Sequence, residues 1–322
     1  MTTQQTRTIP IAGDETILRV RERGLWGQAW DRLLKNRLAV VAGIVLIVLI
    51  VVAFGAAVFP GIERYSPSQT APREAFQGPS WSHFLGTDNL GRDTWARTLE
   101  GMRISLQIGI GTQVVVVIVG VLVGAAAALG GRLGDNVMMR IVDIAYAFPD
   151  LLAIIILRAI LSERNWPIIG SGDPQIPGLS GEVLQVILAI SLVGWVTVAR
   201  LVRGQMLALK EADYVLAARA LGASSPRIVF THMLPNTIGP IIVAVTFGIP
   251  LAIYAEAVLA IIGFGLQPPT ASLGTLVFDG YTYYRASEWL ILVPAGAIAT
   301  LMLCFTFLGD GLRDALDPRG RR

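Results

Sequence analysis

Lys210-Glu211-Ala212-Asp213-Tyr214-Val215-Leu216-Ala217-Ala218-Arg219-Ala220-Leu221-Gly222-Ala223-Ser224-Ser225-Pro226-Arg227, closing at Leu234-Pro235-Asn236, lies between two apolar runs and reads as two short helices broken by a glycine. Gly222 can take the left-handed backbone conformation that ends a helix after Leu221 without a Cβ penalty. Ser225 is expected to supply an N-cap hydroxyl, and Pro226 to occupy the first helical position, where a missing N–H costs nothing. Ala217, Ala218 and Ala220 keep the surface low, so that another backbone can approach, while Arg219 and Arg227 offer charge at the rim. Two readings follow from this spacing: a helix-turn-helix lying on a membrane surface, or an element on which another protein's movement acts.

Composition fixes the surroundings of this bend. Of 322 residues 53% are hydrophobic and 15% charged, against roughly 25% charged in soluble domains. Uncharged runs near the roughly 20 residues needed to cross a bilayer occupy 38–59, 104–131, 233–255 and 289–309. The run 183–199 is shorter and extends into the following helix, and 141–161 is expected to cross despite Asp143, Asp150 and Arg158. The fold expected is all-α and polytopic, with six transmembrane helices. It divides into an N-terminal segment 1–37 with an interfacial helix, a first span 38–59, an outer loop 60–103, a five-helix core 104–309 containing the bend at 211–235, and a tail 310–322.

Lysine and arginine orient the bundle, because basic flanks stay on the cytoplasmic side. Of the 26 basic residues, eighteen fall in 1–37, 130–140, 200–235 and 310–322. Seven fall in the alternate loops 60–103, 162–182 and 263–288, and Arg158 is the remaining one. Both termini and the glycine-broken segment are therefore expected in the cytoplasm. The basic balance is a matter of topology and gives no reason to infer nucleic acid, since no basic patch is interleaved with exposed aromatics. The amino end is polar for 37 residues and the first span is too long for a signal core, so an uncleaved anchor is expected. Before that span, Trp26, Trp30, Leu33, Leu34 and Arg37 recur at helical spacing, the pattern of a helix at the headgroups.

Several chemistries are excluded. Lys35 and Lys210 are the only lysines and neither follows a glycine, so the phosphate-binding pattern G-x-x-x-x-G-K-[ST] is absent. His83 and His232 lie outside the spans, which removes an intramembrane Ser-His protease and a histidine metal relay. Neither an enzyme nor a cofactor is expected. Cys304, the lone cysteine, can form no internal disulfide. Asp88 and Asp93 miss the calcium-loop spacing and read as turn formers.

Inside the bilayer, Gly120, Gly124 and Ala128 form a ridge of small residues suited to close helix packing. Gly239-Pro240 and Gly248-Ile249-Pro250 are expected to interrupt the backbone ladder of the fifth span, which is tolerated only against protein or a water-filled path. Glu256 near its outer end, Pro250 and Asp143 are candidates for the wall of a translocation path, against a buried structural hydrogen bond for Glu256. Asp150 and Arg158, eight positions apart, share a helical face and are candidates to pair.

At this point the residues carry a resemblance. Leu216-Ala217-Ala218, Gly222, His232, Leu234 and Pro235 fill slots of the cytoplasmic signature of binding-protein-dependent importers, E-A-A, three residues, G, nine residues, I-x-L-P, with the glutamate and isoleucine replaced. Tyr214 to Ala223 and His232 to Asn236 resemble its peptide-importer variant. His83-Phe84-Leu85-Gly86-Thr87-Asp88-Asn89-Leu90-Gly91-Arg92-Asp93 with Gly101 to Leu106, and Glu256 with Gly263 to Pro269, resemble further stretches of the C-type permease subunit in the peptide/nickel ABC importer family. The likeness covers nearly the whole chain; Asp150 and Arg158 depart from the small or apolar residues of that pattern.

The resemblance implies a type I ABC importer permease fold in a bacterial or archaeal cell membrane. It implies a heterodimer with a B-type permease, two ABC ATPase subunits below and an extracytoplasmic substrate-binding protein above. It also assigns ATPase coupling to Asp213, Tyr214, Ala217, Ala218, Arg219, Gly222, Ser225, Pro226, Arg227 and His232. The cargo expected is di- or oligopeptides; nickel or an oligosaccharide carried by the same architecture, and a secondary transporter, are the alternatives.

Overall fold

Asn36 opens the first crossing helix, its side chain accepting from Ala39 N at 3.2 Å, which satisfies one of the donors that a helix start leaves free. A computed structural model describes residues 25–163 and 179–317; residues 1–24, 164–178 and 318–322 lie outside the described residues, and with them most of the polar N-terminal stretch, much of the loop 162–182 and the end of the tail. Among the described residues no strand is present beyond the isolated bridge Thr87–Asp93.

The chain runs through α1 (Leu25–Lys35), α2 (Arg37–Val58), α3 (Pro60–Glu63), α4 (Thr94–Leu129), α5 (Gly131–Ala147), α6 (Asp150–Glu163) and α7 (Gly181–Leu209). Then come α8 (Asp213–Ala220), α9 (Ser225–Ile228), a π-helical turn (Val229–Met233), α10 (Leu234–Ile261), α11 (Leu273–Tyr283) and α12 (Trp289–Leu316). Five stretches are long and apolar enough to cross a bilayer: α2, α4, α7, the run Ser225–Ile261 and α12.

The sixth crossing differs from expectation. Residues 141–161 are not one helix; α5 and α6 meet at an angle of 87°. The cause is local. Pro149 clashes with an α-helical residue before it, and Phe148 is accordingly extended, at φ −84° and ψ 136°. α5 is amphipathic, with Arg132, Asp135, Arg140 and Asp143 on it, whereas α6 is largely apolar.

A second difference concerns α10, which runs without a break through Pro240 and Pro250. Gly248 has another use: a Cβ there would collide with the Gln113 side chain of α4. The small-residue ridge packs on α7, where a Cβ on Gly120 would lie 2.7 Å from Val198 Cβ and one on Gly124 2.6 Å from the Ala199 carbonyl. On the other side Leu106, Ile253, Leu273 and Leu301 bring α4, α10, α11 and α12 into one core.

Arg32 of α1 donates to the Asp317 carbonyl at 3.1 Å. A cavity of about 670 Å³ links these same ends to Gln205 and Leu209 of α7 and to Pro235 and Asn236. The start of the described chain, its end and the bend at 210–236 therefore share one face of the bundle.

Candidate coupling surface and membrane groove

α8 ends as a glycine-capped helix should. Gly222 has φ +81°, its N–H donates to the Arg219 carbonyl and the Ala223 N–H to the Ala218 carbonyl, both at 3.0 Å, the paired bonds of a Schellman cap. The next helix starts one residue earlier than expected. Its cap is Ser224, extended at ψ 150°, with no side-chain cap bond, because the first helical bond runs from Ile228 N to the Ser224 carbonyl. Ser225 opens the helix itself, and Pro226 still sits in the first turn.

The bend has a buried root and an exposed crown. Val215, Ile228, Val229 and Met233 pack on Val202 and Met206 of α7 and Ala128 of α4. The edge of Tyr214 meets His232 at a centroid distance of 6.4 Å, and Asn236 Nδ2 donates to the His232 carbonyl at 2.6 Å. Outward stand Asp213, Ala217, Arg219, Gly222, Ser225, Pro226 and Arg227, with Ala218 and His232 half-buried. Leu221 is 89% and Phe230 68% exposed, with Leu216 and Tyr214 beside them. Large apolar side chains standing this far into solvent normally mark a contact surface.

A second feature lies at mid-length of the spans. A groove of about 460 Å³ opens between α4, α6, α7 and α10. Apolar residues such as Ile154, Val193 and Leu251 form most of it, with Thr112, Gln113, Asp150, Thr197 and Tyr254 as its polar members. The sequence-based candidates are distributed around it. Pro250 is buried next to the lining residues Leu251 and Ala252. Glu256 is 1% exposed and accepts from Ser272 Oγ and from Ser105 Oγ at 3.3 Å. Ser105 Oγ in turn accepts from Leu273 N at 3.1 Å. This carboxylate thus ties α10 to α4 and to the start of α11.

Asp143 faces Arg200 of α7 at 2.7 Å, and that guanidinium also lies 4.2 Å over the Tyr146 ring. Asp150 and Arg158 do not pair. Eight residues of helical rise separate them by about 12 Å, and Arg158 instead donates to Gln185 of α7. Thr112, Gln113 and Tyr254 were not singled out by sequence; as polar groups within otherwise apolar runs they carried the only available signal.

At the other end of α4 from the bend, the loop 60–93 forms a polar cap. Asp88 accepts from Leu90 N and Arg92 N at 2.8 and 2.9 Å and from Arg92 Nε and Arg97 Nη1, each at 2.6 Å. Asp93 caps α4 through Ala96 N at 2.8 Å and meets His83 Nδ1 at 2.8 Å. Both aspartates are therefore turn and cap residues. Asp279 on α11 lies 3.5 Å from Arg97; burial raises its pKa, an effect that Arg92 partly offsets.

Comparison with known proteins agrees with this architecture. The family described as binding-protein-dependent transport system inner membrane component matches residues 117–322, and the N-terminal TM domain of oligopeptide transport permease C matches residues 24–79. The oligopeptide transport system permease protein OppC of Bacillus subtilis is 40% identical over 311 residues, covering 97% of this chain and 95% of the relative. The dipeptide transport system permease protein DppC of the same organism is 39% identical, covering 91% and 86%. A chain in a structure of inward-facing conformations of the MetNI methionine ABC transporter superposes with a TM-score of 0.51 at 19% identity, over 68% of this chain and 96% of that one. With crossing helices, glycine-capped bend and near full-length relatives in agreement, the chain belongs to the binding-protein-dependent transport system inner membrane components, as a multi-pass permease subunit.

Proposed function

We propose that this permease imports di- or oligopeptides and supplies half of a translocation pathway, with a B-type permease supplying the other half. In this reading two separate ABC ATPase subunits hydrolyse ATP and an extracytoplasmic binding protein delivers cargo. Both termini face the cytoplasm of a bacterial or archaeal cell. The observation that carries the reading is the bend at 211–235: its root is buried against α4 and α7, while its crown projects Leu221 almost fully into solvent. A rigid root transmits displacement and an apolar crown invites a partner. ATP-driven closure of the ATPases would push the crown, and the pushed root would re-pack α4 and α7 around the groove, exposing it alternately to either side.

The coupling residues then divide by position. Asp213, Tyr214, Ala217, Arg219, Gly222, Ser225, Pro226 and Arg227 offer the contact surface, while Ala218 and His232 join crown to root. Among the pathway candidates, Pro250 backs the groove, Glu256 anchors α11 to the bundle and Asp143 holds α5 to α7. The carboxylate of Glu256 is directed at two serines, which supports a positioning role in forming the pathway.

Gly222→Asp tests the assignment. A Cβ at Gly222 meets nothing within 4 Å, and aspartate tolerates the left-handed conformation better than most residues, so the chain itself should fold and insert. Uptake by the complete importer should be abolished, and Leu221→Cys should cross-link to a cysteine-bearing ATPase partner. Wild-type uptake by Gly222→Asp, with no cross-link from position 221, would overturn the docking role.

A further inference from the structure

Among the described residues Asp150 is the one carboxylate lining the mid-span groove. It opens α6 immediately after the Pro149 break, is exposed, and forms no ion pair among the described residues. A charge at this depth is costly unless it faces water or an opposite charge, and the helix start of α6 offsets only part of that cost. A second observation comes from α4: Thr112 is 1% exposed, lines the same groove, and its hydroxyl oxygen has no hydrogen-bond partner. Buried hydroxyls are ordinarily satisfied. Beside it Gln113, 8% exposed, presents an amide held against Gly248. Carboxylate, hydroxyl and amide oxygen are all acceptors, carried by residues that line one groove, which has no lysine or arginine in its lining among the described residues.

We propose that Asp150, with Thr112 and Gln113, forms a transient subsite for a primary ammonium group of the cargo on its way through the membrane. The subsite rests on the import reading above and deepens it: three acceptors of this kind match the three N–H donors of an alkylammonium, and Asp150 supplies its counter-charge. A peptide offers such a group at its amino terminus or on a lysine side chain. The apolar remainder of the groove accommodates side chains without selecting among them.

The experiment uses the complete importer in proteoliposomes, with trialanine and Ala-Lys-Ala as probes. Asparagine keeps the helix-start capacity of aspartate and removes the charge, so Asp150→Asn should assemble and hydrolyse ATP normally. Its uptake should fall at least about tenfold, the effect of losing one charge-assisted hydrogen bond, with partial rescue by Asp150→Glu. Equal losses for both probes assign the amino-terminal ammonium; a loss confined to Ala-Lys-Ala assigns the side chain. Unchanged uptake of both overturns the proposal. A second arm is independent of peptide cargo: Thr197→Cys, which lines the same groove, on a Cys304→Ala background, should react faster with a cationic than with an anionic methanethiosulfonate reagent in the assembled complex, and adding Asp150→Asn should erase that preference. Equal rates with Asp150 in place, or no reaction with either reagent, would overturn the subsite, whereas a retained cationic preference in an importer that takes up neither peptide would overturn only the peptide reading.

Discussion

The loop cap at 60–103 and the bend at 211–235 are both polar connections between long helices, and both turn on glycines, yet they are finished to different degrees. In the cap most of the polar chemistry closes around one carboxylate, although Thr94 Oγ1 and Arg97 Nε have no partner among the described residues. Asp88 satisfies two arginines and two backbone amides, and Gly91, at φ +73°, sits so close to the Ala71 carbonyl that no Cβ fits. At the bend Gly222 has a similar backbone conformation with open space around it, and leucine, phenylalanine and tyrosine side chains stand in solvent. One region is held together by ion pairs within the chain; the other presents apolar side chains beside a turn that nothing in the chain crowds. Stability and function should therefore separate when the two are mutated.

The largest effect is expected at Asp88. Asp88→Ala leaves two buried guanidinium groups without their shared carboxylate and should cost about 3–5 kcal/mol, measurable as a collapse in the unfolding midpoint of the purified protein; a loss under 1 kcal/mol would break the claim that Asp88 holds the cap together. Next comes the glycine pair. In the left-handed region an added Cβ costs about 1–2 kcal/mol by itself, so Gly222→Ala should lose that much and Gly91→Ala clearly more, because only the latter meets a carbonyl. Equal losses in the same assay would erase the distinction drawn between the two turns. Leu221→Ser should leave stability within about 0.5 kcal/mol while reducing ATP-coupled uptake; a stability loss would mean that the side chain packs within this chain after all. The smallest effect belongs to Asp143→Asn, since its partner pair is open to water on both sides and such pairs contribute about 0–1 kcal/mol; salt titration of the unfolding midpoint should scarcely distinguish it from wild type.

The contrast also explains how far sequence could be read. Long apolar runs announce themselves, and α2 and α12 start within a residue of where charge stops. α4 starts at Thr94 instead, ten residues ahead of its uncharged run, because Arg97 is folded into the cap and a charge count cannot see an ion pair that closes in space. The bend was legible because Gly222 has a conformational requirement that few residues meet, although the serine that caps the next helix was displaced by one. Pro149 carried the signal for the break that a reading of 141–161 as one crossing passes over; the preceding Phe148 is extended and the two helices meet at 87°. The groove was least legible: Thr112 and Gln113 are far from Asp150 in the chain, and only the packing of α4 and α6 on α7 lets them line one groove.

α4 has one more property that follows from its length. At 36 residues and about 54 Å, it is an unbroken strut whose first turn is pinned by Arg97 to Asp88 and whose last turn shares a cluster with Val215. If it swings as a rigid body about its middle, a tilt of about 10° displaces each tip by about 5 Å in opposite directions. Events on the two sides of the lipid then need no relay of intermediate rearrangements, since a single stiff member would carry both.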